Sequence, residues 1–287
     1  MSTVSATEVK TLREKTGAPM MECKNALMET GGDFAKAEKI LKEKGLAAVE
    51  KRSHRATDAG KVTIKIINDD SGSKAAMVEL VAETDFVARN PEFIALGQNI
   101  ADRVLEKTYT EANEELNNMV MDLAAKIREN MGLKRVRYIT AGKDEYLTSY
   151  IHGDGAIGIM VKFGADKPEM FNNEEVKAFT FSLALHVAAF NPIALDQSKI
   201  DAAWLKEQEE IFRKQMELDE NVQSKPAQVQ ENILKGKVSK FLKEICLMDQ
   251  SYVKDEKMTV AQALDDAAKR LGIKLNILDY VYLRVGG

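Results

Sequence analysis

The sequence predicts an α+β protein assembled from several small units. Three observations carry this reading. Helix formers dominate: aromatic residues are only 6% and prolines only 5 of the 287 residues, while Lys, Glu, Ala and Leu abound. Two short alternating apolar runs, near Lys61 and near Tyr146, each open a hairpin that a long helical pattern follows. A charged stretch from Ser198 to Leu247 carries Trp204, Ile211 and Leu218 at heptad spacing, the signature of a narrow helix–helix seam.

The first 45 or so residues punctuate as three short helices. Ser5 and Glu8 have the spacing of a capping box, Val9 and Leu12 give the first helix an apolar face, and Gly17 supplies its stop. Pro19 opens a second helix with Met20, Met21, Cys23, Ala26 and Leu27, ending at Gly31-Gly32. Asp33 caps a third helix with Phe34, Ala37, Ile40 and Leu41, which Gly45 is expected to close. A bundle this small is marginal alone. The charged stretch that follows, with Lys51, Arg52, His54 and Arg55, reads as a linker.

From Lys61 the period changes to two. Val62 to Ile67 and Ala75 to Val81 form a hairpin about the turn Asn68–Gly72. Thr84-Asp85-Phe86-Val87 connects it to Asn90-Pro91, a cap and first helical residue. One helix then runs to about Leu105 and another from about Glu111 to Asn130. A second strand–hairpin–helix unit follows: Tyr146 to His152, the turn Gly153-Asp154-Gly155, Ala156 to Phe163, and a helix from Asn173 to Phe190. After the charged hairpin come a helix from Val260 to Leu271 and an alternating run from Leu275 to Val285.

Composition excludes several function classes. Lys and Arg total 41 against 45 Asp and Glu, for a net charge of -4, so nucleic acid is not expected as the main partner. Two distant cysteines, Cys23 and Cys246, suit no disulfide framework and no zinc site. The first ten residues have neither signal-peptide nor transit-peptide character, and the longest apolar stretch, Phe179 to Phe190, is too short to span a bilayer. The expectation is a cytoplasmic protein without membrane contact. Phosphate-binding glycine loops, dinucleotide fingerprints, nucleophile elbows and zinc-protease motifs are all missing. No cofactor, metal or catalytic residue is therefore expected.

Four places invite a functional reading. Thr84–Val87 sets an acid and a bulky aromatic on a connection: Phe86 is either core or an anchor for a partner's pocket. Met20 and Met21 are either core filler or an adaptable binding surface. His186, on an otherwise apolar helix, must be hydrogen-bonded inside or turned to a partner. His152 lies beside a turn, and a metal- or histidine-dependent enzyme using His152 and His186 is the rival from another class, with a plain helical adaptor a third option.

Two longer motifs resemble a known family. Val9 to Leu27, with Leu12-Arg13, Thr16-Gly17-Ala18-Pro19-Met20-Met21 and Cys23-Lys24-Asn25-Ala26, is similar to the N-terminal signature of bacterial elongation factors Ts. Glu79 to Arg89, centred on Thr84-Asp85-Phe86-Val87, resembles the second signature of that family. His152-Gly153, His186 to Ala189, and Lys240-Phe241 through Val260 extend the likeness along nearly the whole chain. Pro19 and Glu22 stand where Gly and Asp are commoner. The sequence ends at Val285-Gly286-Gly287, where some members carry a further helical module.

The resemblance implies a guanine-nucleotide exchange factor for the translational GTPase elongation factor Tu, without bond chemistry of its own. It implies a ubiquitin-associated-like three-helix domain over residues 1–50, a linker over 51–60, and a core N-subdomain over 61–141. Residues 142–197 with 240–287 would form the core C-subdomain, and 198–239 an inserted antiparallel coiled-coil hairpin. Thr84, Asp85, Phe86 and Val87 would dislodge magnesium from the GTPase, and Arg13, Met20, Met21, His152 and His186 would contact it. Asp85 could hold the Phe86 wedge in place or act electrostatically; both remain open.

Overall fold

The fold is described by a computed structural model covering residues 4–69 and 72–287. The chain divides into two compact units: Met1–Thr140 with Ile151–Gly158 and Leu283–Gly287, and Ala141–Tyr150 with Ile159–Tyr282.

In the first unit, α1 (Ala6–Thr16), α2 (Met20–Glu29) and α3 (Phe34–Glu50) enclose a small core of Val9, Leu12, Cys23, Ala26, Leu27, Ala37 and Leu41. The capping box at α1 forms: the Ser5 hydroxyl accepts from the Glu8 N–H at 3.2 Å, and the Ser5 N–H donates to the Glu8 carboxylate at 2.7 Å. Gly17 closes α1 in the left-handed conformation, with φ of 69°. Gly45 does not close α3, which runs on to Glu50. A Cβ at Gly45 would stand 2.9 Å from that of Ala125, so this glycine serves a close helix crossing instead.

Beyond the linker, β1 (Ala59–Asp69) and β2 (Gly72–Ala82) pair antiparallel, from Ala59 opposite Ala82 to Asp69 opposite Gly72. Asp70 and Ser71, in the expected turn, lie outside the described residues, as do the first three residues of the expected leaderless N-terminus. The one-turn helix α4 (Asp85–Ala88) follows, then α5 (Pro91–Lys107), α6 (Glu114–Ile127) and β3 (Met131–Ala141). The sheet order is β1-β2-β3, so β2 is central and is buried without interruption from Ala75 to Ala82. That run includes Glu79, fully buried, whose carboxylate accepts from Arg135 of β3 at 2.5 Å and from the Gly286 N–H at 3.1 Å. A buried charge survives only with such partners. Phe93, Leu96, Ile100 and Val104 of α5 and Leu116, Val120 and Ala124 of α6 complete this core.

The second sheet has the order β4-β5-β8, from β4 (Glu145–His152), β5 (Ile157–Ala165) and the last strand, β8 (Leu275–Arg284). Helix α7 (Glu174–Phe190) is capped by Asn173, whose side chain accepts from the Glu175 and Val176 N–H groups. Helices α8 (Ala202–Glu217), the single turn α9 (Glu220–Gln223) and α10 (Ala227–Ile245) follow, then the two-strand ribbon β6 (Ser251–Tyr252) and β7 (Asp255–Thr259), and α11 (Val260–Leu271). The heptad reading of α8 needs correction. Ile211 and Leu218 are exposed, while Trp204, Leu205, Phe212 and Met216 pack against Leu234, Val238, Phe241 and Leu242 of α10. Of the positions that the spacing of seven marks, only Trp204 joins the contacting face, which continues through Phe212 and Met216 instead of Ile211 and Leu218. Among the described residues, no helix is long and apolar enough to cross a membrane.

Candidate partner interface

Local sequence builds the segment after β2 with unusual economy. Thr84, in extended conformation, caps α4: its hydroxyl accepts from the Val87 N–H at 3.3 Å. The same hydroxyl donates to Glu129 at 2.9 Å, and the Thr84 N–H donates to that carboxylate at 3.1 Å. Val87 and Ala88 turn inward and are buried, which leaves Asp85 and Phe86 outward. Phe86 is 82% exposed. The core alternative for Phe86 therefore fails: α4 buries Val87 and Ala88 on its inner side and turns Phe86 to solvent. Asp85 meets Arg89 at 3.3 Å, an exposed i,i+4 pair of small energetic weight.

The turn carrying His152 shares a rim with this helix. Gly153, Asp154 and Gly155 all have positive φ, which lets the chain reverse tightly. Lys61 of β1 pins the turn, donating to the Asp154 carbonyl at 2.8 Å and meeting its carboxylate at 2.7 Å. That ion pair holds the Asp154 carboxyl below its usual range. Asp85, Ala88 and Arg89 line the same cleft, of ≈ 410 Å³, as Gly153, Asp154 and Arg284. His152 itself is exposed.

In the N-terminal bundle, Arg13 projects from α1 into solvent, and Met20 and Met21 occupy the exposed first turn of α2 at 41% and 63% exposure. Cys23, two positions on, faces the core and is fully buried. The core-filler alternative thus fails for both methionines.

His186 takes the inward alternative. It is fully buried in the second unit, stacked on Phe190 with ring centroids 4.6 Å apart. Its Nε2 lies 3.0 Å from Gln250 Oε1, and the Val253 N–H donates to its Nδ1 at 3.2 Å. Gln250 Nε2 donates in turn to the Glu244 carbonyl at 2.7 Å, which identifies its other atom as the acceptor. His186 must then carry its proton on Nε2 and remain neutral, and burial depresses its pKa accordingly. Its side chain offers no face to a partner. Neither histidine belongs to a group of three or more His, Cys, Asp or Glu side chains placed to hold a metal among the described residues.

Sequence reasoning missed Glu129 and Gln250. The sequence pattern carries the helix on through Glu129 to Asn130, whereas α6 ends at Ile127, and only the fold brings Glu129 to Thr84 or Gln250 to His186.

Comparison with known proteins agrees along the chain. The family description Elongation factor TS matches residues 83–287. The elongation factor Ts of Treponema denticola is 46% identical over 284 residues, covering 99% of this chain and 98% of its own. That of Treponema pallidum is 43% identical over 290 residues, covering 99% of each, and that of Clostridium acetobutylicum 37% identical over 294 residues, covering 99% and 92%.

Proposed function

The chain belongs to the elongation factor Ts family and is by that membership a translation elongation factor, and from this premise we propose that it exchanges guanine nucleotide on elongation factor Tu. It binds the GDP-bound GTPase, displaces magnesium and GDP, and holds the empty state until GTP enters. No covalent bond is made or broken by the factor itself.

Binding must be tighter to the empty GTPase than to the loaded one, and the coupling is reciprocal: whatever the factor costs the nucleotide, the nucleotide costs the factor. Each tenfold weakening of nucleotide corresponds to about 1.4 kcal/mol. A thousandfold effect asks for about 4 kcal/mol, within the range of one or two anchors. Magnesium bridges phosphate oxygens and protein ligands in GTPases, so an aromatic that shifts the elements holding it loosens the nucleotide. Phe86 supplies that bulk, with Thr84, Asp85 and Val87 as the frame that presents it. Arg13, Met20 and Met21 form a second contact on a three-helix, ubiquitin-associated-like docking domain spanning residues 1–50, and His152 a third. His186 contributes indirectly, by holding the Val253 backbone and the exposed Phe190 ring. Helices α8 and α10 are read as the arms of a coiled-coil hairpin.

The observation that carries this reading is the presentation of Phe86: 82% exposed, on a helix of four residues whose cap and inner face are both fixed. Stopped-flow release of a fluorescent GDP from elongation factor Tu tests the proposal directly. Catalytic amounts of the factor should accelerate release without being consumed, and an unchanged release rate would overturn the assignment.

A further inference from the structure

Three consecutive residues between α6 and β3 reach three different parts of the first unit. Arg128 ends α6 in the left-handed conformation, with φ of 69°, and its N–H still satisfies the Ala124 carbonyl at 2.8 Å. Its guanidinium grips Glu22 of α2 with two bonds, at 3.1 and 2.6 Å. That fork keeps the Glu22 carboxyl below its ordinary range. Glu129 holds Thr84 by backbone and hydroxyl, as described above. Asn130 donates its N–H to Glu83 at 2.6 Å and its side-chain amide to the linker carbonyls of Ser53 and Arg55, at 3.2 and 2.7 Å. Arg55 closes the circuit by donating to Glu83 at 3.3 Å.

Glu22 follows Met21 in sequence, and Thr84 precedes Asp85 and Phe86 by one and two residues. The turn therefore holds, through adjacent side chains, the backbone carrying the exposed methionines and the backbone carrying the exposed aromatic. We propose that Arg128, Glu129 and Asn130 are positioning residues that fix the angle of α4 through Glu129 and tie it to the seating of the N-terminal bundle through Arg128. The consequence is concerted presentation: a partner that seats the bundle also stiffens the wedge. This coupling rests on the exchange-factor reading only for its purpose, since the linkage itself belongs to the free protein.

Amide hydrogen exchange on the full-length free protein reads the linkage without any GTPase. Glu129→Ala should speed exchange of the Val87–Arg89 amides about tenfold, while β1, β2 and α5 stay as protected as before. Glu129→Gln keeps an acceptor oxygen for Thr84 and should recover most of that protection. Glu22→Ala, at the far end of the linkage, should speed the same amides about twofold to threefold, as befits a half-exposed ion pair. In the GDP-release assay, Glu129→Ala should lower the maximal rate about tenfold while moving the half-saturating concentration less than about threefold. Unchanged α4 amides in Glu129→Ala, or in Glu22→Ala, would overturn the coupling. So would uniform loss of protection across the unit, which would mark a merely structural role. If the wild-type factor released no GDP while α4 responded as described, the exchange reading would fall and the linkage would stand.

Discussion

Phe86 and His186 are each the residue least at home in its sequence surroundings, and the fold resolves them in opposite directions. Phe86 belongs by composition to a core, yet it stands out in solvent; His186 belongs by composition to a surface, yet it lies fully buried. The deciding physics differs too. At Phe86 a four-residue helix capped by Thr84 buries Val87 and Ala88, and its other two side chains, Asp85 and Phe86, face out. At His186 a strongly apolar helix carries the ring inside, and Gln250 and the Val253 N–H satisfy both nitrogens. The pairing teaches that an odd residue signals a commitment, and that hydrogen-bond partners tell a functional commitment from a structural one. A buried, doubly bonded ring is anchoring the fold, whereas an exposed ring on a fixed helix adds little to the core beneath it.

Truncating the two residues should separate these roles most sharply. His186→Ala leaves Gln250 Oε1 and the Val253 N–H without the ring that pairs them and opens a cavity, which costs about 2–3 kcal/mol. Its melting temperature should fall by several degrees, with nucleotide exchange reduced only as far as the folded fraction is. A melting point equal to that of the wild type would show that the ring is not integral to the second unit. Phe86→Ala should do the reverse: exchange slows at least about tenfold, equivalent to about 1.4 kcal/mol, with melting unchanged. A large drop in melting temperature would return Phe86 to the core and dissolve the contrast.

The N-terminal bundle extends the comparison to a third place where side chains that could be core are left out. Replacing Arg13, Met20 and Met21 together by Ala should weaken the complex about threefold to tenfold, without lowering the maximal exchange rate. Titration of the triple variant against elongation factor Tu checks this. Equal affinity would mean that the methionines are exposed without being used.

Much of this arrangement was legible in the chain because it is local. Caps at Ser5, Asp33, Asn90 and Asn173, the stop at Gly17 and the hairpin strands all depend on neighbours within four residues or on a simple period. The rest depends on what arrives from elsewhere. Gly45 looked like a helix stop and is a packing site, because Ala125 is its partner. Strand β3 was not anticipated, since Lys134, Arg135 and Arg137 interrupt its alternation and Arg135 is spent on Glu79. Of the heptad marks, Trp204 packs in the seam, but Ile211 and Leu218 are exposed and Phe212 and Met216 take the packed side. At the candidate site, the outward pair Met20 and Met21 and the motif around Phe86 were visible, and the turn that joins their backbones was not. Its residues, Arg128, Glu129 and Asn130, read in the sequence as the end of a helix, and only the left-handed Arg128 and the contacts show them to be a turn.

The smallest expected effect concerns protonation, and it sharpens the His186 half of the contrast. Burial lowers the pKa of this ring below the ordinary histidine value, so between the two values the unfolded chain binds a proton that the folded protein does not. Stability then rises with pH across that interval: the contribution is fully present above the ordinary histidine range and is lost as pH falls from there toward the depressed value. Geometry demands the same sign, because a second proton would sit on Nδ1, against the Val253 N–H that now donates to it. Many carboxylates also titrate as pH falls, so the wild type alone cannot isolate this term. His186→Asn, which cannot ionise, provides the reference. Its melting temperature should lie below that of the wild type at pH 8, and the gap should narrow steadily as pH falls through 6.5 toward 5. A gap that stays constant over this range would mean that the ring takes up its proton equally in both states, and the buried, neutral His186 would have to be abandoned.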